Sequence, residues 1–182
     1  MKKSAKCIAL LLAVLLLAAA LTACGGNTAN TDGASGAAQT EASQEATAGE
    51  TFDIGTFTVL VPNGWVAKDY KDMNQVKLYK TNSLDNIFGV PEIDITYNAG
   101  ATYELVTAMF ESYEEVEPIT TGAYTWNGVQ GKFSSTKDLL SLNTVVGDGY
   151  IAADVWVKVS EDTTISVNDA DVNAILAGIT IK

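Results

Sequence analysis

The sequence predicts an α+β fold, an antiparallel β-sheet flanked by two or more helices. Three observations point there. Strand-like alternation of apolar and polar residues dominates residues 51–182. Two stretches switch to helical spacing instead. Short Gly-containing turns separate several of the alternating runs, and short turns mean antiparallel pairing.

The elements follow in order. Phe57, Val59 and Val61 alternate with Thr56, Thr58 and Leu60. Pro62-Asn63-Gly64 marks a turn, and Trp65, expected in the core, opens the next extended run. Residues 76–80 alternate, as do Ile93, Ile95 and Tyr97 with Asp94 and Thr96. Over residues 102–116 the apolar Leu105, Val106, Met109, Phe110, Tyr113 and Val116 recur at helical spacing. Thr102 suits the N-cap of that helix and Pro118 its stop. Trp126-Asn127-Gly128-Val129 reads as a two-residue hairpin, because Asn-Gly tolerates positive φ. Gly147-Asp148 reads the same way and joins residues 142–146 to 150–159. In that last strand Ile151, Ala153, Val155, Val157 and Val159 form an apolar face. Tyr150, Ala152, Asp154, Trp156 and Lys158 form a mixed one, expected to be partly covered or to line a groove. A second helix is expected over about 168–177, with Val172, Ile175, Leu176 and Ile179 on one side. Asn168 can cap it, and Asp169 and Asp171 suit its positive end.

The 182 residues suffice for a leader and one domain, at ~100–200 residues per domain. Eleven Lys, no Arg and no His face 22 acidic residues, for a net charge of −11. Without His there is no Ser-His-Asp or Cys-His machinery and no imidazole metal site. Without Arg there is no bidentate clamp for phosphate. An acidic chain is a poor fit to nucleic acid, whose binding is dominated by cationic contacts.

Lys2, Lys3 and Lys6 precede residues 7–21, which carry no polar side chain. That run is shorter than the ~20 residues a spanning helix needs, and with its basic start it describes a secretory signal. It ends Leu21-Thr22-Ala23-Cys24, which resembles the lipobox of bacterial lipoproteins. The resemblance implies a signal peptide over 1–23 and an acylated Cys24 as the mature N-terminus. Cys7 leaves with the leader, so Cys24 has no thiol partner in the mature chain. Residues 24–50 hold nothing more apolar than Ala after the Cys and read as a flexible tether, reaching about 25–30 Å. All three Trp, seven Tyr and five Phe fall within 51–182, the single expected domain.

The run from Phe57 to Val61 passes into Pro62-Asn63-Gly64-Trp65, and an aliphatic helix from Val172 to Ile179 closes the chain. This order resembles the PsbP-like family, which includes the extrinsic photosystem II subunit, a nuclear-transport Ran-binding protein and many small bacterial lipoproteins. The resemblance spans about 51–182. It implies a PsbP-like α/β sandwich with helices on both faces of the sheet, and a docking or assembly role. It carries over no catalytic residues.

Several groups are candidates for a site. Glu111, Glu114, Glu115 and Glu117 would crowd the C-terminal end of the first helix, against its dipole. Glu111 and Glu115 would also be a like-charged i,i+4 pair. Such a cluster is either a solvated acidic face or a site for a cation or a basic partner. Trp126, Tyr150 and Trp156, with Tyr124, make either an aromatic platform for sugar or peptide or plain sheet packing. Asp169-x-Asp171-x-Asn173 starts like a calcium loop, but Ala174 stands where Gly is needed and Thr180 where Glu is needed. No cofactor is expected, and weak Ca²⁺ binding stays open. Asp69 with Asp72, and Glu161 with Asp162, sit in polar turn-like stretches that give no reason for a shifted pKa.

The expectation is an extracytoplasmic lipoprotein, anchored in the cell membrane through Cys24, monomeric and not an enzyme. It would dock or help assemble an envelope protein partner and bind no nucleic acid. The alternative is a lipoprotein that binds a small ligand, a sugar or a divalent cation.

Overall fold

The computed structural model describes residues 47–182. The expected leader, Cys24 and the tether up to residue 46 lie outside the described residues. The described chain runs β1 Gly49–Asp53, β2 Phe57–Pro62, β3 Val66–Tyr70, β4 Gln75–Tyr79, β5 Glu92–Asn98, β6 Ser112–Thr121, β7 Tyr124–Ser134, β8 Lys137–Val146, β9 Gly149–Ser160, β10 Thr163–Thr164, α1 Ala170–Ala177 and β11 Thr180–Ile181. Two sheets result. The small one has the order β1-β2-β11, and the large one runs β3-β4-β5-β9-β8-β7-β6 with β10 on β9. The paired strands in both are antiparallel.

The core lies where β2 and α1 meet the large sheet. Phe57 and Val59 of β2 are fully buried, as are Val172, Ile175 and Leu176 of α1. Opposite them Leu78, Ile93, Ile95, Leu142, Ile151 and Trp126 are equally buried. Each such aliphatic side chain contributes about 1.5–3 kcal/mol when removed from water. A polar tie fixes the start of α1. Trp65 Nε1 donates to Asp171 Oδ2 at 2.8 Å, and Lys80 Nζ lies 2.8 Å from the same oxygen. Burial pushes against the Asp171 charge, but the bonds from Lys80 and Trp65 hold its carboxyl below its usual value.

This architecture corrects the α+β expectation and the PsbP-like sandwich with it. The described chain is β-rich, two antiparallel sheets with one eight-residue α-helix. The helix expected over 102–116 does not form. A 3₁₀ turn at Thr107–Met109 is all that stands there before β6 begins. Tyr113, Val116, Ile119, Thr120 and Thr121 favour a strand, and β7 offers β6 a ladder from Ser112↔Lys132 to Thr121↔Tyr124. Pro118 sits at the register shift between Val116 and Ile119, where a missing N–H breaks no regular pairing.

The β6–β7 turn falls at Gly122, with φ 59°, and not at Asn127-Gly128. Gly128 lies inside β7, with its backbone so close to the Ser141 carbonyl that a Cβ has no room. Gly64 (φ 84°) and Gly147 (φ 61°) do occupy turns where the sequence places them. The C-terminal helix starts at Ala170 with Asp169 at the N-cap, not Asn168. At the other end, β1 takes in Gly49 and Glu50, which composition assigns to the tether.

Gly122 tests the packing of α1. A Cβ there would stand 2.6 Å from the Ala177 carbonyl oxygen, on a positive φ. Gly122→Ala should cost about 2–4 kcal/mol in urea unfolding, from backbone strain plus overpacking. Gly100→Ala, at φ 66° with open space around it, should cost only about 1 kcal/mol. Equal losses would mean that the turn does not approach α1.

Candidate binding face

The large sheet has a second face, turned away from β2 and α1. Ile93 and Ile95 of β5, and Ala153 and Val155 of β9, are buried on the core side. Alternation therefore turns Asp94 and Asp154 the other way. Register then lines up one row across the sheet. Lys77 stands opposite Asp94, Asp94 opposite Asp154, Asp154 opposite Ser141, Ser141 opposite Val129, and Val129 opposite Glu115.

The polar half of the row is tightly bonded. Lys77 Nζ donates to Asp94 Oδ2 at 2.6 Å and to Glu92 Oε1 at 2.8 Å. Ser141 Oγ donates to Asp154 Oδ1 at 2.6 Å. Asp94 Oδ1 is buried without a partner. Burial, then the hydrogen bond shared with Glu92, pushes the Asp94 carboxyl up to about 7, against the pull of Lys77. Burial likewise raises Asp154, while Ser141 and Lys77 oppose it. Burial disfavours the Lys77 charge, yet its bonds to Asp94 and Glu92 hold the ammonium above its ordinary value. The like charge that acts on Asp94 is Glu92, on the same strand face, and it adds to burial in favouring the protonated carboxyl. Among the described residues no group of three or more His, Cys, Asp or Glu is placed to hold a metal ion.

Toward β6 and β7 the same face becomes apolar. Val129 and Leu139 are buried there, apart from the main core cluster. Residues 99–111, between β5 and β6, close over this end. Tyr103 stands edge-on to Tyr150 with ring centroids 5.2 Å apart, and its hydroxyl meets the side chains of Ser141 and Asn143. Glu111 N–H donates to the Lys132 carbonyl at 2.7 Å. Phe133 meets the Trp156 ring edge-on at 4.9 Å, and Lys137 Nζ lies 5.5 Å from that ring. A cleft of about 460 Å³ opens between this segment and β6, with Tyr103, Leu105, Glu115, Glu117 and Asn143 in its walls.

The face gathers some of the residues expected at a site and not others. Tyr150, Trp156 and Glu115 share it, Tyr150 and Trp156 half-buried and Glu115 exposed at the cleft. Glu114 alternates to the opposite side, where it lines a separate groove with Ser112 and Gln130. Glu111 is exposed just before β6. Trp126 does not belong to any surface platform: it is fully buried in the core, edge-on to Tyr124 at 5.8 Å. Cys24 lies outside the described residues. Asp69, Asp72, Glu161 and Asp162 are exposed. The calcium-like triplet is already engaged. Asp169 accepts from the Ser166 N–H, Asp171 from Trp65 and Lys80, and Asn173 Oδ1 from Thr121 Oγ1.

Sequence reasoning missed the Lys77–Asp94–Asp154–Ser141 row. Its signal was a single charged residue between buried neighbours, in Ile93-Asp94-Ile95 and Ala153-Asp154-Val155. Nothing local shows that the two acids face each other.

No family model and no curated protein matches the chain. Among solved structures, a crystal structure from Bacteroides thetaiotaomicron VPI-5482 is similar at 14% identity with a TM-score of 0.44. The match covers 74% of this chain and 48% of that one, so the chain spans about half the length of that protein. A likeness of that degree transfers no residue role.

The outer row makes a prediction about pH. The folded domain holds the Asp94 and Asp154 protons more tightly than the unfolded chain does. Stability should therefore fall as pH rises from about 4, the ordinary carboxylate value, to about 7. Asp94→Asn keeps the shape and removes the charge, so it should flatten that slope and stabilise the domain at pH 8. Urea midpoints at pH 5 and pH 8 read both effects. A slope unchanged in Asp94→Asn rules out the buried proton.

Proposed function

We propose that this protein is a lipid-anchored extracytoplasmic lipoprotein that docks another envelope protein through the outer face of its large sheet. One observation carries the reading. Leu21-Thr22-Ala23-Cys24 closes an apolar run of 15 residues that follows Lys2, Lys3 and Lys6. Acyl chains on Cys24 would supply about 0.8 kcal/mol per buried CH₂. Charge would not help, because removing residues 1–23 takes three Lys with it. Eight Lys then face 22 acids, a net charge of −14, and anionic headgroups repel such a surface. Lipid would therefore be what holds the protein to the membrane. Among the described residues no helix is long and apolar enough to cross one. The outer face supports docking over catalysis. Its carboxylates are tied to Lys77 and Ser141, and its aromatic residues lie beside an open cleft.

Fractionation of cells fed labelled palmitate tests the anchor. The wild-type chain should carry label and sediment with membranes. Cys24→Ala should lose the label, and at least nine-tenths of the protein should move to the soluble extracytoplasmic fraction. An unlabelled chain that still sediments with membranes would overturn the reading.

A further inference from the structure

We infer that the apolar surface formed by residues 99–111 and the β6–β7 end of the outer face receives a cationic amphipathic segment of a protein partner. The inference rests on the docking reading and names the chemistry of what docks.

Large hydrophobic side chains are left exposed together here: Leu105, Val106, Met109, Tyr113 and Phe133. Single exposed apolar residues are ordinary, but a group of five marks a contact surface. Val106 and Met109 stand on the same connection as Leu105, and the other members are tied to it. Leu105 stands in the cleft wall beside Glu115. The Phe110 and Tyr113 rings are 5.9 Å apart. The bond from Glu111 to Lys132 brings the end of the segment next to Phe133. Tyr113 is in register with Gly131, two residues from Phe133, so both rings share the outer face. The connection itself is long for one with a single 3₁₀ turn in it, and connections of that length commonly bind.

Charge selects the occupant. Glu104 and Glu111 lie on the connection itself, Glu115 and Glu117 stand in the cleft wall, and residues 99–121 contain neither Lys nor Arg; the cation at the far edge is Lys137, over the Trp156 ring that packs on Phe133. An anionic membrane would meet this rim with repulsion. A second copy would bring the same carboxylates against it. A segment with apolar residues at helical spacing and Lys or Arg on its flanks satisfies both the patch and the rim. The apolar anchors then set the residence time, and the rim sets the encounter rate and its salt dependence.

The test uses the whole protein on neutral phosphatidylcholine nanodiscs, with empty discs as the blank. The probe is a fluorescent 18-residue peptide of Leu and Lys at helical spacing, followed by polarisation. A Leu/Glu peptide of the same pattern is the control. The Leu/Lys peptide should bind and weaken with added salt, and the Leu/Glu peptide should not bind. Val106→Ser with Met109→Ser should weaken binding at least tenfold. Glu115→Lys with Glu117→Lys should weaken it at least tenfold and flatten the salt dependence. Phe88→Ser, at a side chain 89% exposed outside this segment, should change nothing. All these positions are exposed, and an unchanged urea midpoint confirms that each variant folds. Equal binding of both peptides, or no loss in the Val106/Met109 pair, overturns the inference. So does binding of anionic phosphatidylglycerol vesicles that the Val106/Met109 pair abolishes, since the occupant would then be lipid. A protein that stays out of the discs yet binds the Leu/Lys peptide in solution overturns the anchor alone and leaves the docking surface standing.

Discussion

The wide inner face of the large sheet has to be covered, and among the described residues β2 and α1 supply most of the cover. Most other features serve that contact. β1 and β11 flank β2 and complete its hydrogen bonding. Gly178 lets the chain leave α1 against Leu60, and Gly122 lets the β6–β7 turn pass under Ala177, both at distances that exclude a Cβ. Trp65 and Lys80 reach from the large sheet's side to hold Asp171 at the start of α1. The cover is narrow. Beyond Trp126 the inner side of β6 and β7 turns polar, with Glu114, Gln130 and Lys132 around a shallow groove.

Among the described residues the outer face has no second layer of that kind, and it divides into two chemistries. In its middle, backbone register forces two acids into opposition, and burial raises both while Lys77 bonds one and Ser141 the other. Beside it, aromatic rings from three separate parts of the chain pack edge to face, Tyr103 on Tyr150 and Phe133 on Trp156. Rigid strands hold the first arrangement. A connection with little regular structure holds the second, which suits a surface that adapts to what it meets.

Legibility in the sequence followed how local each signal was. Pro62-Asn63-Gly64 and Gly147-Asp148 show their turns because the conformation depends on residues that touch each other along the chain. Val172, Ile175 and Leu176 show α1 for the same reason. Leu105, Val106, Met109 and Phe110 misled, since their spacing fits a helix, while the pairing of β6 with β7 across the Gly122 turn takes Ser112–Thr121 into a strand and leaves the residues before it too few for one. Asn127-Gly128 misled differently. Glycine is needed there for close approach of β8 and not for a positive φ, and a dipeptide cannot display that difference. The paired acids on the outer face were visible singly but not as a pair, because register is a property of two strands and not of either one.

The strand that joins the domain to the rest of the chain has a mechanical consequence. β1 is mostly exposed and is held by five paired positions on β2, from Gly49↔Pro62 to Asp53↔Thr58. Only Phe52 of this strand packs against the core. Tension arriving from the N-terminal side therefore loads the Thr47–Ala170 and Ala48–Asn63 bonds and then that ladder before it reaches β2, which α1 and β11 hold from other directions. β1 is the element that yields first, and its unpairing frees an already extended segment about 16 Å long, at ~3.3 Å per residue, to swing toward the pull. A pull on the domain would be absorbed by a strand whose loss leaves nearly all of the buried core in place.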